Sequence, residues 1–487
     1  MRTGAEYLKS LDDGRTVFVD GEVVGNVAEH PAFSSVAGTV GQLFDFAADP
    51  ANGMQSHAEE LGSTINVVYS IPRSSEDLHA RRRAIAAWAK RTHGWLGRSP
   101  DHLASAFAGF AANAEVFDTP KKKFSQNVRN FYEHIARNSL FVSYAIIPPQ
   151  YSRASTASQW GDDFIQVGVV RETEEGLIVR GSQMLATSGA IADELFVTCL
   201  KPLKPEDSDF AISFAIPLGT PGLKLISRRP YAIGATSEFD YPLTSRYDEP
   251  DGFVVFDDVL VPWDRVFVDR DVERVREPFF RTPAHPLMNW QAQIRFVEKL
   301  KFIASVARRI TQVNETDQAP GTVEKLGELA ALVTSVEAAV LAAQAEAGPD
   351  EHGTYVPARK YIYGAMGLQG ETYPRVIQLL REIASGGVMQ LPSSVADMVS
   401  SVTRPDVERY IRSRNVESKE RIKLFRLAWD VIGSEFGGRH QQYEIFYAGS
   451  SALVKSAYTY NHFGYEELLS DLEEFLISYD LPAATQE

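Results

Sequence analysis

Apolar positions change their period twice along this chain. From about Ala80 to Leu140, in "HARRRAIAAWAKRTHGWL" and "VRNFYEHIARNSLFVSYAI", they recur at helical spacing, so this stretch predicts helices that bury one face. Between Phe164 and Val268 the pattern breaks into short apolar runs cut by Gly, Pro and Asp: "FIQVGVV", "GLIVRGSQML", "ELFVTCL", "FAISFAI", "LKLISR" and "GFVVFDDVLV". These predict the strands of one sheet or barrel. After about Asn289 long helical patterns return in "RFVEKLKFIASVARRITQV", "TVEKLGELAALVTSVEAAVLAAQAEA" and "PRVIQLLREIA", which predict a helix bundle. The zones divide the chain into an N-terminal helical domain (1–145), a central β domain (146–276) and a C-terminal helix bundle with a tail (277–487). Helices, then strands, then helices is an α+β order, not the alternation that builds a doubly wound sheet.

Between two helical stretches, "GWLGRSPDHLASAF" gathers glycine, arginine, proline, aspartate and histidine. Ser99-Pro100-Asp101 predicts a helix start, with Ser99 as N-cap, Pro100 at the first helical position and Asp101 facing the positive end of the helix dipole.

Composition narrows the function classes. The 487 residues suit about two to four domains, and 44% hydrophobic content is that of a globular protein. Lys+Arg 49 against Asp+Glu 64 gives a net charge of -15, which repels nucleic acid and anionic membranes. The short basic runs "HARRRAIAAWAKR" and "TPKKKF" lie in ordinary helical sequence. A single cysteine, Cys199, leaves no intrachain disulfide framework and no cysteine-rich zinc site, and makes the cytoplasm the expected compartment. The charged start "MRTGAEYLKSLDDGR" does not read as a signal peptide, and no run of about 18 apolar residues is expected to span a membrane.

Familiar catalytic signatures do not occur. The chain has no GxGxxG after a strand, no GxxxxGK[ST], no HExxH and no GxSxG. "GAMGLQG" has the wrong glycine spacing and lies in a helical zone. Glu76 and His79 form one Glu-x-x-His pair where a di-iron bundle needs two, and the ten histidines are scattered, so no metal site is expected. Polar density concentrates instead at the zone edges. In "IIPPQYSR" the Pro148-Pro149 pair holds an extended path that projects Gln150 and Arg153. "MLATSGAIADE" places Thr187 and Ser188 where a strand breaks into a turn, and "SGGVMQLPSS" and "GSEFGGRHQQYE" set glycine pairs beside helices, where backbone can approach a ligand. Each segment alone also reads as a linker or a helix cap.

In this order, with "RTGAEYLKSLDDGR", "GRSPDH", "PPQYSR", "VVRETEEGLIVRGSQMLATSGAIADE", "IPLGTPGLKLI", "FDDVLVPWDRVF", "GGVMQLPSS" and "FGGRHQQYE", the chain resembles the flavin-dependent aromatic monooxygenases typified by 4-hydroxyphenylacetate 3-monooxygenase, large component. The resemblance covers nearly the whole chain. It implies an acyl-CoA dehydrogenase-like fold with a central β-barrel domain, and a homotetramer. Reduced FAD would serve as a diffusible co-substrate from a separate NAD(P)H-flavin reductase. With molecular oxygen, a flavin C4a-hydroperoxide would hydroxylate a phenol ortho to its hydroxyl. It places Arg98 against flavin and phenol, Gln150, Arg153, Thr187 and Ser188 at the flavin, and Gly387, Gln390, Ser393 and Arg439 among the cofactor contacts, the "SGGVMQLPSS" segment reaching the flavin of a neighbouring chain.

One departure bears on the substrate. Relatives acting on 4-hydroxyphenylacetate have tyrosine after the "RSPD" aspartate and histidine six residues before the linker glutamine, where this chain has His102 and Tyr144. Arg98, His102 and Tyr144 are thus the expected catalytic set, with the base approaching from the other side. Gln291 of "NWQAQIR" stands near the place of a histidine in chlorophenol-acting relatives, which weakens a dehalogenating role. The implied substrate is a 4-hydroxyphenylacetate-like ring or a tyrosine-derived ring, free or tethered to a carrier protein. The alternatives are chlorophenol or nitrophenol hydroxylation in the same family, an acyl-CoA dehydrogenase that keeps oxidised FAD bound, and a non-catalytic helical scaffold.

Overall fold

The computed structural model describes residues 1–152, 154–161 and 164–480. Arg153, an expected flavin contact, lies outside the described residues.

Helices form where the periodicity places them. Ser75–Arg91 starts on Ser74, whose hydroxyl accepts from the Asp77 N–H, carries Glu76 and Asp77 in its first turn and ends on Lys90 and Arg91, so both ends complement the helix dipole. Pro100–Ala112, "PDHLASAFAGFAA", is small and apolar on nearly every side and is buried almost throughout. It packs on the 30-residue helix Ala284–Val313, which Pro320–Ala345 and Arg359–Ala384 join in the C-terminal bundle.

The strands are β1 (Thr16–Val19), β2 (Glu22–Val23), β3 (Gln55–Ala58), β4 (Ser63–Asn66), β5 (Val142–Ala145), β6 (Gly168–Glu172), β7 (Gly176–Met184), β8 (Glu194–Val197), β9 (Ser213–Pro217), β10 (Leu223–Ser227), β11 (Gly252–Pro262), β12 (Val266–Val268), β13 (Gly348–Pro349) and β14 (Tyr355–Val356). One sheet has the order β2-β1-β10-β11-β7-β6, a second β12-β9-β8-β5, and β3-β4 and β13-β14 are isolated pairs. Five strands, β1 to β5, come from the N-terminal domain read as helical, and two of them join the central strands in parallel. β1 runs parallel to β10 with Thr16 opposite Lys224, and β5 runs parallel to β8 with Tyr144 opposite Phe196.

The expected central barrel is not formed; among the described residues the central strands lie in two open sheets. The outer strands of the larger sheet explain why it does not close. β2 is two exposed residues long, and β6 ends in exposed Arg171 and Glu172, a short edge and a charged edge that do not continue a ladder. The sheets instead face one another across side chains, with Phe214 of β9 edge-on to Phe256 of β11 at 5.8 Å. Phe107 ties the buried helix to the smaller sheet, 5.1 Å from Phe196, and to the helix Ser125–Asn138, 4.7 Å from Phe131.

The expectation of no membrane-length apolar segment also needs correction. Pro320–Ala345 is long and apolar enough to cross a bilayer, and 28% of its most apolar window is buried. In the fold it is a bundle helix: Leu329, Val333, Val336 and Val340 are buried, and Lys325, Glu328 and Glu337 pair with Glu382, Arg375 and Lys301. Near the end of the described chain the helix Tyr465–Ile477 buries none of its residues and leaves Leu468, Leu469, Leu472, Phe475, Leu476 and Ile477 exposed.

Candidate active site

The loop "GWLGRS" runs between the helices Ser75–Arg91 and Pro100–Ala112 and lies directly on other backbone. Gly94 has φ +71°, and a Cβ there would stand 2.6 Å from the Arg295 carbonyl oxygen and the Lys299 nitrogen. A Cβ on Gly97 would enter the Tyr443 ring. Glycine at both positions lets the loop pack against Ala284–Val313 and against the helix Glu435–Ile445, bringing Arg98 to their junction.

Arg98 is held by main chain and boxed by aromatic rings. Its backbone N–H donates to Glu249 Oε1 at 2.6 Å and its Nη2 donates to the Tyr447 carbonyl at 3.2 Å. The guanidinium carbon stands 4.6 Å from the Tyr447 ring centre, 5.2 Å from Tyr443 and 5.4 Å from Tyr144. Burial opposes the charge, but the tyrosines and Glu249 outweigh it, so Arg98 stays protonated. Burial pushes the Tyr447 hydroxyl up to about 12, which keeps that phenol neutral at physiological pH. Arg98 Nη1, His102 Nε2 and the Tyr443 hydroxyl are shielded from solvent and have no hydrogen-bond partner among the described residues.

His102, one turn into the helix, accounts for the second of these groups. Its Nδ1 is 3.0 Å from Gln291 Oε1, and its ring stacks on Tyr144 at 5.9 Å. Burial, then the Arg98 charge, hold its pKa well below the usual histidine value, so the ring is neutral. The expected cap is corrected in one respect. Ser99 occupies the N-cap position, but its hydroxyl donates to Asp101 Oδ1 at 2.5 Å instead of accepting from the first turn.

A chain of alternating charges joins this loop to the other two zones. Arg439 Nη1 donates to Glu249 Oε2 at 3.1 Å, and Nε and Nη2 donate to the two oxygens of Asp251 at 3.0 and 2.7 Å. Thr187 Oγ1 donates to Asp251 Oδ1 at 2.8 Å. Burial pushes the Asp251 carboxyl up, yet Arg439 and Arg228 hold it far below the usual carboxylate range. Ser188 follows Thr187 with φ +61°, its N–H donating to the Pro250 carbonyl at 2.8 Å.

Beneath Arg98, three residues of Ala284–Val313 and Glu435–Ile445 form a buried ionic knot. Arg295 Nη1 and Lys299 Nζ donate to Glu444 Oε1 at 2.5 and 2.8 Å, and Gln369 Nε2 donates to Glu444 Oε2 at 2.7 Å. Burial lowers Lys299 to about 7, whereas the two cations outweigh burial and lower Glu444 to about 2. Arg295 Nη1 also donates to the Gly94 carbonyl at 3.2 Å, so the knot grips the loop that carries Arg98.

The structure therefore brings Arg98, His102, Tyr144, Thr187 and Arg439 into one cluster, with Ser188 beside it. Gln150 stands exposed on the linker after Pro149. Gly387 is half-buried against the Phe425 ring, Gln390 is exposed, and exposed Ser393 donates to Asp397; these three lie on an outer face of the chain. Sequence reasoning missed Glu249 and Asp251, which lie in an ordinary acidic loop, and Tyr443 and Glu444, although both belong to the "GGRHQQYE" stretch.

Comparison with known proteins agrees with this architecture. A family model described as 4-hydroxyphenylacetate 3-hydroxylase N terminal matches residues 3–268, and one described as 4-hydroxyphenylacetate 3-hydroxylase C terminal matches residues 275–476. The 4-hydroxyphenylacetate 3-monooxygenase oxygenase component of Thermus thermophilus is 35% identical over 98% of this chain and 97% of its own length. A Streptomyces globisporus monooxygenase named for a (3S)-3-amino-3-(3-chloro-4-hydroxyphenyl)propanoyl group on a peptidyl-carrier protein is 34% identical over 92% of this chain and 85% of its own. A crystal structure of an oxygenase component of 4-hydroxyphenylacetate 3-monooxygenase, complexed with FAD and 4-hydroxyphenylacetate, superposes with a TM-score of 0.92 at 34% identity, covering 98% of this chain and 99% of that one. An archaeal 4-hydroxybutyryl-CoA dehydratase shares the acyl-CoA dehydrogenase-like fold, with a TM-score of 0.88 at 19% identity. By sequence along nearly its whole length and by fold, this chain belongs to the 4-hydroxyphenylacetate 3-hydroxylase family.

Proposed function

We propose that this chain is the oxygenase component of a two-component monooxygenase, which uses reduced FAD and molecular oxygen to hydroxylate a phenol ortho to its hydroxyl. The observation that carries this reading is the pair of buried groups without a hydrogen-bond partner among the described residues, Arg98 Nη1 in the loop and His102 Nε2 in the first turn of the helix that follows it. Leaving such atoms unpaired costs about 1–3 kcal/mol each, a penalty that a ligand oxygen removes.

The residues present fit the cofactor as well as the phenol. Arg98 offers a charged N–H to the electron-rich oxygen of a reduced isoalloxazine or a phenolate, a charge-assisted bond of the stronger kind. Thr187 and Arg439, linked to Arg98 through Asp251 and Glu249, and Ser188 beside Thr187 would hold the flavin, with Gln150 and Arg153 contributing from the linker. When bound, reduced FAD supplies the electrons that activate oxygen. The chain's own residues orient the phenol between Arg98, His102 and Tyr144, bias its hydroxyl toward phenolate and keep water out of the pocket.

The ring fits one of two classes: a 4-hydroxyphenylacetate-like acid, or a tyrosine-derived ring tethered to a carrier protein, as the name of the Streptomyces relative describes for that protein. His102 and Tyr144 in exchanged places support a ring that differs from 4-hydroxyphenylacetate. The chain would act in the cytoplasm with a separate NAD(P)H-flavin reductase, as three domains divided near residues 145 and 276. A homotetramer is supported by the uncovered apolar face of Tyr465–Ile477 and by exposed Met389, Val399 and Val402 beside the Gly387, Gln390 and Ser393 segment, which would reach a neighbour's flavin. A panel of para-substituted phenols, supplied with a generic flavin reductase, FAD, NADH and catalase, tests the reading. A catechol product is expected from at least one phenol, and none from any, free or carrier-bound, would reject it.

A further inference from the structure

We propose that Gln291 is a positioning residue that fixes the ring proton of His102 on Nδ1 and so presents Nε2 as a bare acceptor for the phenol hydroxyl. The inference rests on the reading of this cluster as a phenol site. Gln291 is fully buried on Ala284–Val313, and its Oε1 lies 3.0 Å from His102 Nδ1. A carbonyl oxygen can only accept, so a proton on Nδ1 satisfies both atoms.

Gln291 Nε2 is buried and makes no hydrogen bond among the described residues, while burial pushes the neighbouring Asp101 carboxyl up and the Ser99 hydroxyl and Gln291 pull it the other way. Asp101 is in turn anchored by the Ser99 hydroxyl at 2.5 Å. Oε1, not Nε2, is the amide atom at hydrogen-bond distance from the His102 ring. The helix start read in the sequence thus carries a histidine whose tautomer is set by one buried amide of a neighbouring helix.

The consequence falls on Nε2, which is enclosed and has no partner among the described residues. The charged and titratable groups facing the His102 ring are Arg98, Arg295, Tyr144 and Tyr447, with Asp101 behind Gln291. Because burial and Arg98 keep the ring neutral, the position of its single proton decides what it can do. With the proton on Nδ1, the phenol donates its O–H to Nε2. As the ring oxygen gains charge, the O–H bond breaks, the proton passes to Nε2 and the electron pair stays on oxygen beside Arg98 Nη1. The resulting imidazolium still donates through Nδ1 to Gln291 Oε1. With the proton on Nε2 instead, His102 could donate to a phenolate but could not accept from a phenol.

The two tautomers are distinguished by which form of a phenol binds. 4-Nitrophenol, whose neutral and anionic forms differ in absorbance, is titrated across pH into anaerobic protein loaded with reduced FAD, for the wild type and for Gln291→Met. The wild type should bind both forms; Gln291→Met should bind the neutral phenol about tenfold more weakly or worse while its affinity for the anion stays within about twofold. Equal weakening of both forms would mean that Gln291 only packs, and unchanged binding would mean that it does not set the tautomer; either overturns the proposal. A wild type that binds neither form would instead reject the phenol site itself. Nitrogen-15 histidine labelling of the wild type, with His102→Asn to assign the signal, reads the same point without altering Gln291. The His102 proton should be found on Nδ1, and finding it on Nε2 would overturn the proposal.

Discussion

Arg439 grips Asp251 through two hydrogen bonds, Nε to Oδ2 at 3.0 Å and Nη2 to Oδ1 at 2.7 Å. Its third nitrogen reaches Glu249, whose other oxygen accepts from the Arg98 backbone. One guanidinium of the C-terminal bundle therefore balances two carboxylates from the loop before β11, and one of these holds the loop that carries Arg98.

Arg439→Ala should leave Glu249 and Asp251 short of a counter-charge. Removing one partner of a buried pair costs about 3–5 kcal/mol, a loss measurable by urea denaturation. Arg439→Lys keeps the charge but not the two-pronged geometry and should recover only part of that loss. Alanine and wild-type proteins of equal stability would show that the ionic chain carries no load.

Arg98→Ala acts on chemistry more than on folding, because Glu249 is bonded by the Arg98 main chain, which the substitution keeps. The variant should consume oxygen with reduced FAD but release mostly hydrogen peroxide, with the hydroxylated fraction falling at least about tenfold, the scale of one lost charge-assisted bond. Parallel measurement of peroxide and catechol gives the coupling ratio. Unchanged coupling would remove Arg98 from the site.

The ionic knot predicts a pH signature. Lys299 is lowered to about 7 from 10.5, so between roughly pH 7 and 10.5 the unfolded chain binds the Lys299 proton and the folded chain does not. Stability from this group therefore rises with pH in that window, by about 1.4 kcal/mol per unit at most. Glu444, lowered to about 2 from 4.5, contributes in the opposite window: its stabilisation is complete above about pH 4.5 and is lost as pH falls toward 2. Denaturant titrations of the wild type and Lys299→Met from pH 7 to 10 should diverge, with the wild type gaining relative to the variant. Parallel curves would refute a depressed Lys299.

Much of this site could be read in the sequence because its segments are short and locally unusual. Arg98 lies between two glycines and a Ser-Pro-Asp helix start, Thr187 lies in a strand break, and Arg439 follows a glycine pair. What could not be read is how they meet. Glu249 is 151 residues from Arg98 and 190 from Arg439, and no periodicity links an acidic loop to either. The same limit explains the strands of the N-terminal zone. β1 is only "TVFV", and its partner β10 lies some two hundred residues away, so the pairing that makes it a strand is invisible locally. A barrel and two open sheets share one alternating pattern; the difference lies in edge strands as short as β2.

The central claim is that this chain hydroxylates with electrons delivered by another protein. The most direct measurement supplies NADH, FAD, oxygen, catalase and a phenol that the reductase-coupled panel converts, and omits only the reductase. The account predicts a nearly colourless purified protein that oxidises negligible NADH and forms no catechol until a reductase is added. Sustained NADH consumption with catechol formation by the chain alone would contradict it.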